Sequence, residues 1–448
     1  MGLETWVLGA FLVALAVCIG TGTELLYALL FGMVCFSWYT VKKGRTLGNV
    51  LRLLLGGMAR VGNIIIIFVL IGCLTASWRI GGTIPFILYH SVDLIEPRYF
   101  VLCTFLLCCM MSFLTGTSFG TSSTMGVICM MISNAAGLNP MLTAGAVLSG
   151  IFFGDRCSPM SSSAILVYSL TGTDIYRNIR GMMKTSVVPF LASCVLYVVL
   201  AGGMAAEPDP TVTILFQENF SLSWLTVMPA VLMLLLALLR VDVKIAMGAS
   251  IVTASAAAIM IQGITPGELI RTLWTGGVFE EGSRLAVLLD GGGISSMVEV
   301  GAIVLISASY SGIFSVTPLL SGIKDRLKQT AVKLTPFGTV ILTSVLSSMV
   351  SCNQSLETIL TWQICDDLYQ DKEELAIALE NSVILIAALI PWAIAGAVPV
   401  ATIGAEMTCL LAAFYLYLVP AWNLWISLRK QNFNYINKWR KYHDKKMH

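Results

Sequence analysis

Apolar segments, continuous or nearly so, recur along the chain near residues 6–20, 24–41, 61–77, 100–114, 121–136, 141–153, 185–205, 223–239, 243–261, 298–317, 336–350, 376–396 and 400–427. A helix crossing the ~30 Å hydrocarbon core of a bilayer needs ~20 residues, so several of these can span alone and others are too short. The pattern predicts an all-α polytopic membrane protein with roughly ten to thirteen transmembrane helices. The short segments imply discontinuous helices, broken or re-entrant, at the centre, because non-helical backbone at membrane depth persists only where protein buries it or where it lines a polar cavity. Residues 6–20 read as a retained first helix, since Glu4 and no basic residue precede them and no small-x-small cleavage site is obvious after them.

The polar breaks between segments carry an orientation. Cations cluster at Lys42, Lys43, Arg45 and Arg52, at Arg177, Arg180 and Lys184, at Lys324, Arg326, Lys328 and Lys333, and in the tail from Arg429 to Lys446; residues 207–219 hold Glu207, Asp209 and Glu218 and no cation. Cytoplasmic loops are the ones enriched in Lys and Arg, so both termini, 42–58 and 322–335 are expected inside, and 207–219 and 263–290 outside. Overlaying the halves gives a weak internal repeat. Gly48 and Arg52 in GNVLRLLLGG match Gly267 and Arg271 in GELIRTLWTGG, and 68–78 resembles 303–313. In that register Asn353, Gln354 and Ser355 correspond roughly to Gly116, Thr117 and Ser118. The two matched loops fall on opposite sides, the plan of inverted-topology repeats in secondary transporters. The organisation expected is a first transmembrane half at 1–206, an extracytoplasmic linker at 207–222, a second half at 223–428 and a basic cytoplasmic tail at 429–448.

Composition narrows the class further. Of 448 residues, 57% are apolar and 12% charged, with a mean hydropathy of +0.84; the charged fraction is about half that of soluble domains and cannot build a water-facing shell. A net charge of +2 gives no footprint for nucleic acid. The 12 cysteines, among them Cys103, Cys108, Cys109 and Cys129, fall mostly inside apolar stretches without a paired CxxC and read as small buried hydrophobes. With 3 histidines (His90, His443, His448), no HExxH and no GxxxxGK[ST], the chain shows no machinery for a zinc peptidase or an ATP-driven pump.

Three stretches interrupt the apolar pattern with groups that can bind ions. LTGTSFGTSST at 114–124 concentrates hydroxyls, including Thr117, Ser118 and Thr121, around two glycines; a loosened helix there offers hydroxyls and carbonyls to Na+ or a small polar solute. Close packing of helices through small residues is the other use of such a stretch. GIFFGDRCSPMSSSA at 150–164 places Asp155 where a helix should stop, ahead of Ser158, Pro159 and Ser161. An ionisable group in a membrane segment is expensive and is a functional candidate by default. In the third, SCNQSLETI at 351–359 and ALENSVILIAALIPWAIAGA at 378–397 offer Asn353 and Gln354, then Glu380 and Asn381 ahead of Pro391; Glu406 is a further acid in an apolar run.

GTSFGTSSTMG, then GAVLSGIFFGDRCSPMSS and DIYRNI, and later LENS with IPWAIAGA resemble the NhaC-type sodium/proton antiporters of the ion transporter superfamily over most of the chain. The resemblance implies that Thr117, Ser118, Asp155, Ser158, Ser161, Asn353, Gln354 and Glu380 occupy motif positions. Two positions depart from that pattern, which usually has an acid where this chain has Ser162 and Glu-Asp where it has Glu380-Asn381. The expected function is Na+/H+ antiport in the inner membrane by alternating access, with Na+ and H+ as coupling ions, no other cofactor, and Asp155, Thr117 and Ser158 as Na+ ligands. The alternative is a Na+- or H+-coupled carrier of a small carboxylate or amino acid, which serines and Arg156 would suit. An intramembrane enzyme would need a nucleophile-base or metal constellation, and none is found; a channel usually shows subunit repetition. The expected partners are a small ion or solute and the lipid bilayer, with a homodimer as one assembly open to the chain.

Overall fold

The computed structural model describes residues 3–21, 23–59, 61–91, 96–202, 210–239, 241–277, 291–314, 335–351 and 353–444, and among them it contains helices and turns with no strand. In chain order the helices are α1 (Leu3–Thr21), α2 (Leu25–Lys42), α3 (Leu47–Ala59), α4 (Gly62–Ile80), α5 (Thr83–Ser91), α6 (Pro97–Thr115), α7 (Ser118–Thr121), α8 (Val127–Ala135), α9 (Pro140–Cys157), α10 (Ser162–Thr171) and α11 (Ile175–Ala201). There follow α12 (Pro210–Asn219), α13 (Met228–Leu238), α14 (Val243–Met260), α15 (Pro266–Thr275), α16 (Val298–Phe314), α17 (Pro336–Ser351), α18 (Gln354–Cys365), α19 (Lys372–Glu380), α20 (Val383–Leu389), α21 (Ile394–Thr402) and α22 (Phe414–Asp444). The cations Lys324, Arg326, Lys328 and Lys333, the acids Glu207 and Asp209, and Lys445, Lys446 and His448 lie outside the described residues.

Among the described residues, five helices are long and apolar enough to cross a membrane alone: Gly62–Ile80, Arg98–Thr115, Ile175–Ala201, Val243–Met260 and Ile294–Phe314. The pair Lys372–Leu389 and Ile394–Thr402, bent by 56° at its break, forms a sixth candidate. Shorter apolar helices at Trp6–Leu15, Leu26–Lys42, Leu47–Ala59, Trp224–Leu238 and Pro336–Met349 are the remaining material for the crossings expected from hydropathy. The chain is a multi-pass helical membrane protein.

Small residues decide how these helices meet. Gly145, Gly150 and Gly154 on α9 face Ala412, then Phe105 and Cys108, then Ser112 and Phe113, so closely that an added Cβ would lie 2.1–2.5 Å from a neighbouring atom. The approach permits interhelical hydrogen bonds where lipid offers none: Ser112 Oγ donates to Gly150 O at 2.8 Å and accepts from Gly154 N–H at 3.0 Å. Gly150→Ala is expected to lower stability by about 1–3 kcal/mol, the range for overpacking a filled interior, seen as earlier thermal unfolding in detergent. Gly248→Ala, where nothing lies within 4 Å and a helix interior favours Ala over Gly, should not lower the transition. The stripe of α6 facing α9 includes Phe105, Cys108, Cys109 and Ser112; Cys103 is off that stripe and is exposed, unlike the buried Cys108, Cys109 and Cys129.

Early and late helices interlock reciprocally. α2 and α3 pack on α16, while α14 and α15 pack on α4. Gly57 meets the backbone of Ala308 and Ser309, Gly312 meets Leu53, and Tyr310 OH donates to Leu29 O. On the other side Trp78 Nε1 donates to Ser250 Oγ at 2.9 Å. From this interlocked group α16 also packs on α17 and α21.

Candidate functional site

Asp155 lies in the last turn of α9. Pro159 restricts Ser158 to extended backbone, φ −83° and ψ 135°, and so ends the helix at Cys157. Ser161 then caps α10, its Oγ accepting from the N–H groups of Ser163 at 3.1 Å and Ala164 at 3.4 Å. The carboxylate, 3% exposed, is thereby held against the cap it precedes. Ser161 Oγ lies 3.2 Å from Asp155 Oδ1 and also contacts Asp155 O; Ser163 Oγ donates to Oδ2 at 3.1 Å. From the distant α18, Gln354 Nε2 donates to the same Oδ2 at 3.1 Å and reaches Ile384 O at 3.3 Å. Asp155 is thus surrounded by neutral donors from two separate stretches of chain, and among the described residues no ion pair involves it.

The break has a counterpart. Ile390-Pro391-Trp392-Ala393 separates α20 from α21 with φ/ψ of −89°/113° at Ile390 and −76°/143° at Ala393, close to the −83°/135° at Ser158 and −70°/133° at Ser161. In each, the fourth residue's N–H bonds the first residue's carbonyl, at 3.1 Å for Ser161 and 3.0 Å for Ala393. The turns preceding α7 and α18 match in the same way. Thr117 (−140°, 125°) caps α7 by accepting from Gly120 N–H at 3.2 Å, and Asn353 (−135°, 118°) caps α18 by accepting from Leu356 N–H at 3.2 Å. These caps pair Thr117 with Asn353 and Ser118 with Gln354, one residue away from the register read in the sequence.

The hydroxyl-rich turn adjoins the Asp155 break without bonding to its carboxylate. Gly116, at φ 68°, packs on the backbone of Met160, where a Cβ would lie 2.6 Å from the carbonyl carbon. Thr121 Oγ1 donates to Thr117 O at 2.9 Å and pairs with Thr115 at 3.2 Å; Ser123 and Thr124 bond Gly120 O. Those hydroxyl protons serve the helix's own carbonyls, leaving oxygen lone pairs free. Ser118 is buried, and the buried Ser158 accepts from Met160 N–H at 3.2 Å. Of the expected Na+ ligands Asp155, Thr117 and Ser158, none is hydrogen-bonded to another.

Glu380, 1% exposed, ends α19 with both carboxyl oxygens unpartnered. Arg156 is fully buried; it donates to Tyr415 OH at 3.0 Å and Met182 O at 2.7 Å, and its Nε has no partner. Asn381 Nδ2 donates to Thr185 Oγ1 at 3.1 Å, and both residues line a cavity of about 620 Å³ with Tyr369, Glu374 and Asn423. One expectation fails. Glu406 is exposed ahead of a short 3-10 turn, because the apolar run around it breaks at Gly404 (φ 65°). Ser162, the first residue of α10, is exposed, and Ser163 faces Asp155 instead. Sequence reasoning also missed Thr185 and Glu357; the second stood in the SLETI stretch as an acid among apolar residues. Among the described residues no group of three His, Cys, Asp or Glu side chains is arranged to hold a metal ion, and the oxygen donors at the Asp155 break are hydroxyls, an amide and the carboxylate itself.

A multi-pass helical protein with paired helix breaks around a buried carboxylate has the build of a secondary transporter. The chain belongs to the Na+/H+ antiporter family, whose model matches residues 3–170 and 150–422. It is 29% identical over 371 residues to the Na+/H+ antiporter NhaC of Alkalihalophilus pseudofirmus, covering 80% of this chain and 79% of that one. It is 26% identical over 402 residues to the malate-2H+/Na+-lactate antiporter of Bacillus subtilis, covering 86% and 85%. With the arginine/ornithine antiporter ArcD of Halobacterium salinarum it shares 28% over 372 residues, covering 80% and 76%. The family expected from GTSFGTSSTMG and GDRCSP is therefore the family found.

Proposed function

We propose that the chain exchanges Na+ for H+ across the inner membrane by alternating access, with Asp155 taking the two cations in turn. The observation that carries the reading is a buried carboxylate at a helix break, met by neutral donors and, among the described residues, by no salt-bridged cation. Such a group needs a cation or a proton from outside itself. Hydroxyls and an amide can rotate to present oxygen lone pairs to Na+, or protons to a carboxyl oxygen, so one shell serves both occupants. Thr117, Ser118, Thr121 and Ser158, on the adjoining turn and break, are proposed to complete the Na+ shell, and Asn353 to hold the α18 turn that presents Gln354. Glu380 is a second carboxylate of the pathway, with Asn381 at its cavity side.

The matched breaks and caps support two halves, 1–206 and 223–428, joined by 207–222 and followed by the basic tail at 429–448. The loop cations support a cytoplasmic position for both termini. With the exposed native cysteines replaced, Glu218→Cys is expected to label from outside intact cells and Glu374→Cys only after permeabilisation. Labelling of both from one side would overturn this orientation.

A second reading, coupled transport of a small carboxylate or amino acid, is favoured by Arg156, a buried guanidinium with an unpartnered Nε. The purified chain in proteoliposomes separates the two. Na+ alone should dissipate an imposed pH gradient; a requirement for malate, lactate or arginine would replace the antiport reading.

A further inference from the structure

Glu357, away from the Asp155 shell, is 0% exposed in the first turn of α18. Its Oε2 accepts from Ser348 Oγ of α17 at 3.0 Å, and its Oε1 has no partner. The seam between α17 and α18 is lined with hydroxyls whose protons are engaged elsewhere. Ser344 donates to Val340 O at 2.7 Å, Ser351 to Ser347 O at 2.7 Å and Thr358 to Gln354 O at 2.8 Å, while Ser347 and Thr361 bond each other at 2.8 Å.

The elements packed on α18 bring no counter-charge to this carboxyl. α17 and α20 have no ionisable side chain, and α10 has only Tyr168. α19 carries Lys372, Glu373, Glu374 and Glu380, and the turn before it Asp366 and Asp367; among the described residues none is hydrogen-bonded to Glu357, and Lys372 pairs with Asp366 at 2.7 Å. A carboxylate anion in such an interior needs several donors or a cation. A carboxylic acid carries no net charge and is held at lower cost: the Ser348 hydroxyl serves its carbonyl oxygen, and the unpartnered Oε1 is left to carry the proton.

We propose that Glu357 is a second proton-binding group, separate from Asp155, in the α17–α18 seam. The step is binding of one H+ to the carboxylate to give the acid, and its reversal, with no other bond changed. Gln354, which grips Asp155, lies three residues earlier and therefore on the same side of α18. A shift of α18 is thereby felt at both carboxyl groups.

The test is infrared spectroscopy of the purified full chain as pH is varied. A protonated-carboxyl C=O band is expected in the parent and in Asp155→Asn, lost in Glu357→Gln and shifted in Ser348→Ala. A band spectrum unchanged by Glu357→Gln overturns the proposal. Should that variant fail to fold, Ser348→Ala decides, a shifted band supporting the proposal and an unshifted one overturning it. A transport arm rests on the antiport reading: Glu357→Gln should retain Na+/Na+ exchange while its pH dependence flattens, and a parental pH profile would overturn the role in coupling. Because the spectroscopic arm needs no transport, failure of the antiport reading remains distinguishable from failure of this one.

Discussion

Asp155→Asn is expected to abolish Na+-driven proton movement while the protein still reaches the membrane folded. The amide is nearly isosteric, and each neighbour can adapt to it: the Ser163 hydroxyl rotates to accept, and the Gln354 amide turns its oxygen toward the new NH2 group. What cannot be replaced is the charge. Removing the anionic partner of a desolvated cation forfeits ~3–5 kcal/mol, roughly two to nearly four orders of magnitude in affinity, and the asparagine takes no proton in exchange. The measurement is pH-gradient dissipation by Na+ in proteoliposomes, with thermal unfolding in detergent as the control for folding. Parental turnover would make Asp155 a structural acid satisfied by its three donors.

Half of that site was legible in the sequence. Pro159 and the serines after Asp155 announced a helix stop beside an acid, and the stop is where those residues place it. Which serine faces the acid was hidden, because it depends on Ser161 becoming the cap: the next residue, Ser162, then turns outward and Ser163 inward. Gln354 could be marked as a polar residue at a break, but its contact with Asp155 joins residues 199 apart in the chain, a relation that local pattern does not encode. Hydropathy passed over α18 for a related reason. QSLETILTWQIC buries Glu357, Thr358 and Thr361 against protein rather than lipid, so its polarity kept it out of the apolar segments. Glu406 erred in the opposite direction, an apolar run hiding the turn at Gly404 that exposes it.

The choice between a cation and an organic anion as cargo falls to Asn381→Asp. Of the two positions that depart from the family pattern, Ser162 is exposed and so unsuited to testing an added acid. Asn381 remains apt: it is buried beside Glu380, bonds Thr185 and lines the 620 Å³ cavity. A carboxylate there attracts a positive ligand and repels a negative one. For a ligand charge ~8 Å away at an effective dielectric of ~20, the interaction is ~2 kcal/mol, about thirtyfold in affinity. Under the antiport reading the variant should therefore need less Na+ for half-maximal exchange at alkaline pH, and the gain should fade as pH falls and protonation neutralises the added carboxylate. Under the carboxylate-solute reading the same variant should take up malate or lactate more weakly, most of all at alkaline pH. Side-by-side Na+ titrations and solute-uptake assays on parent and variant read both outcomes. Weakened solute uptake, with no Na+-driven proton movement in either protein, would sink the antiport reading and turn attention to Arg156, whose fixed positive charge would then be the group the added acid opposes.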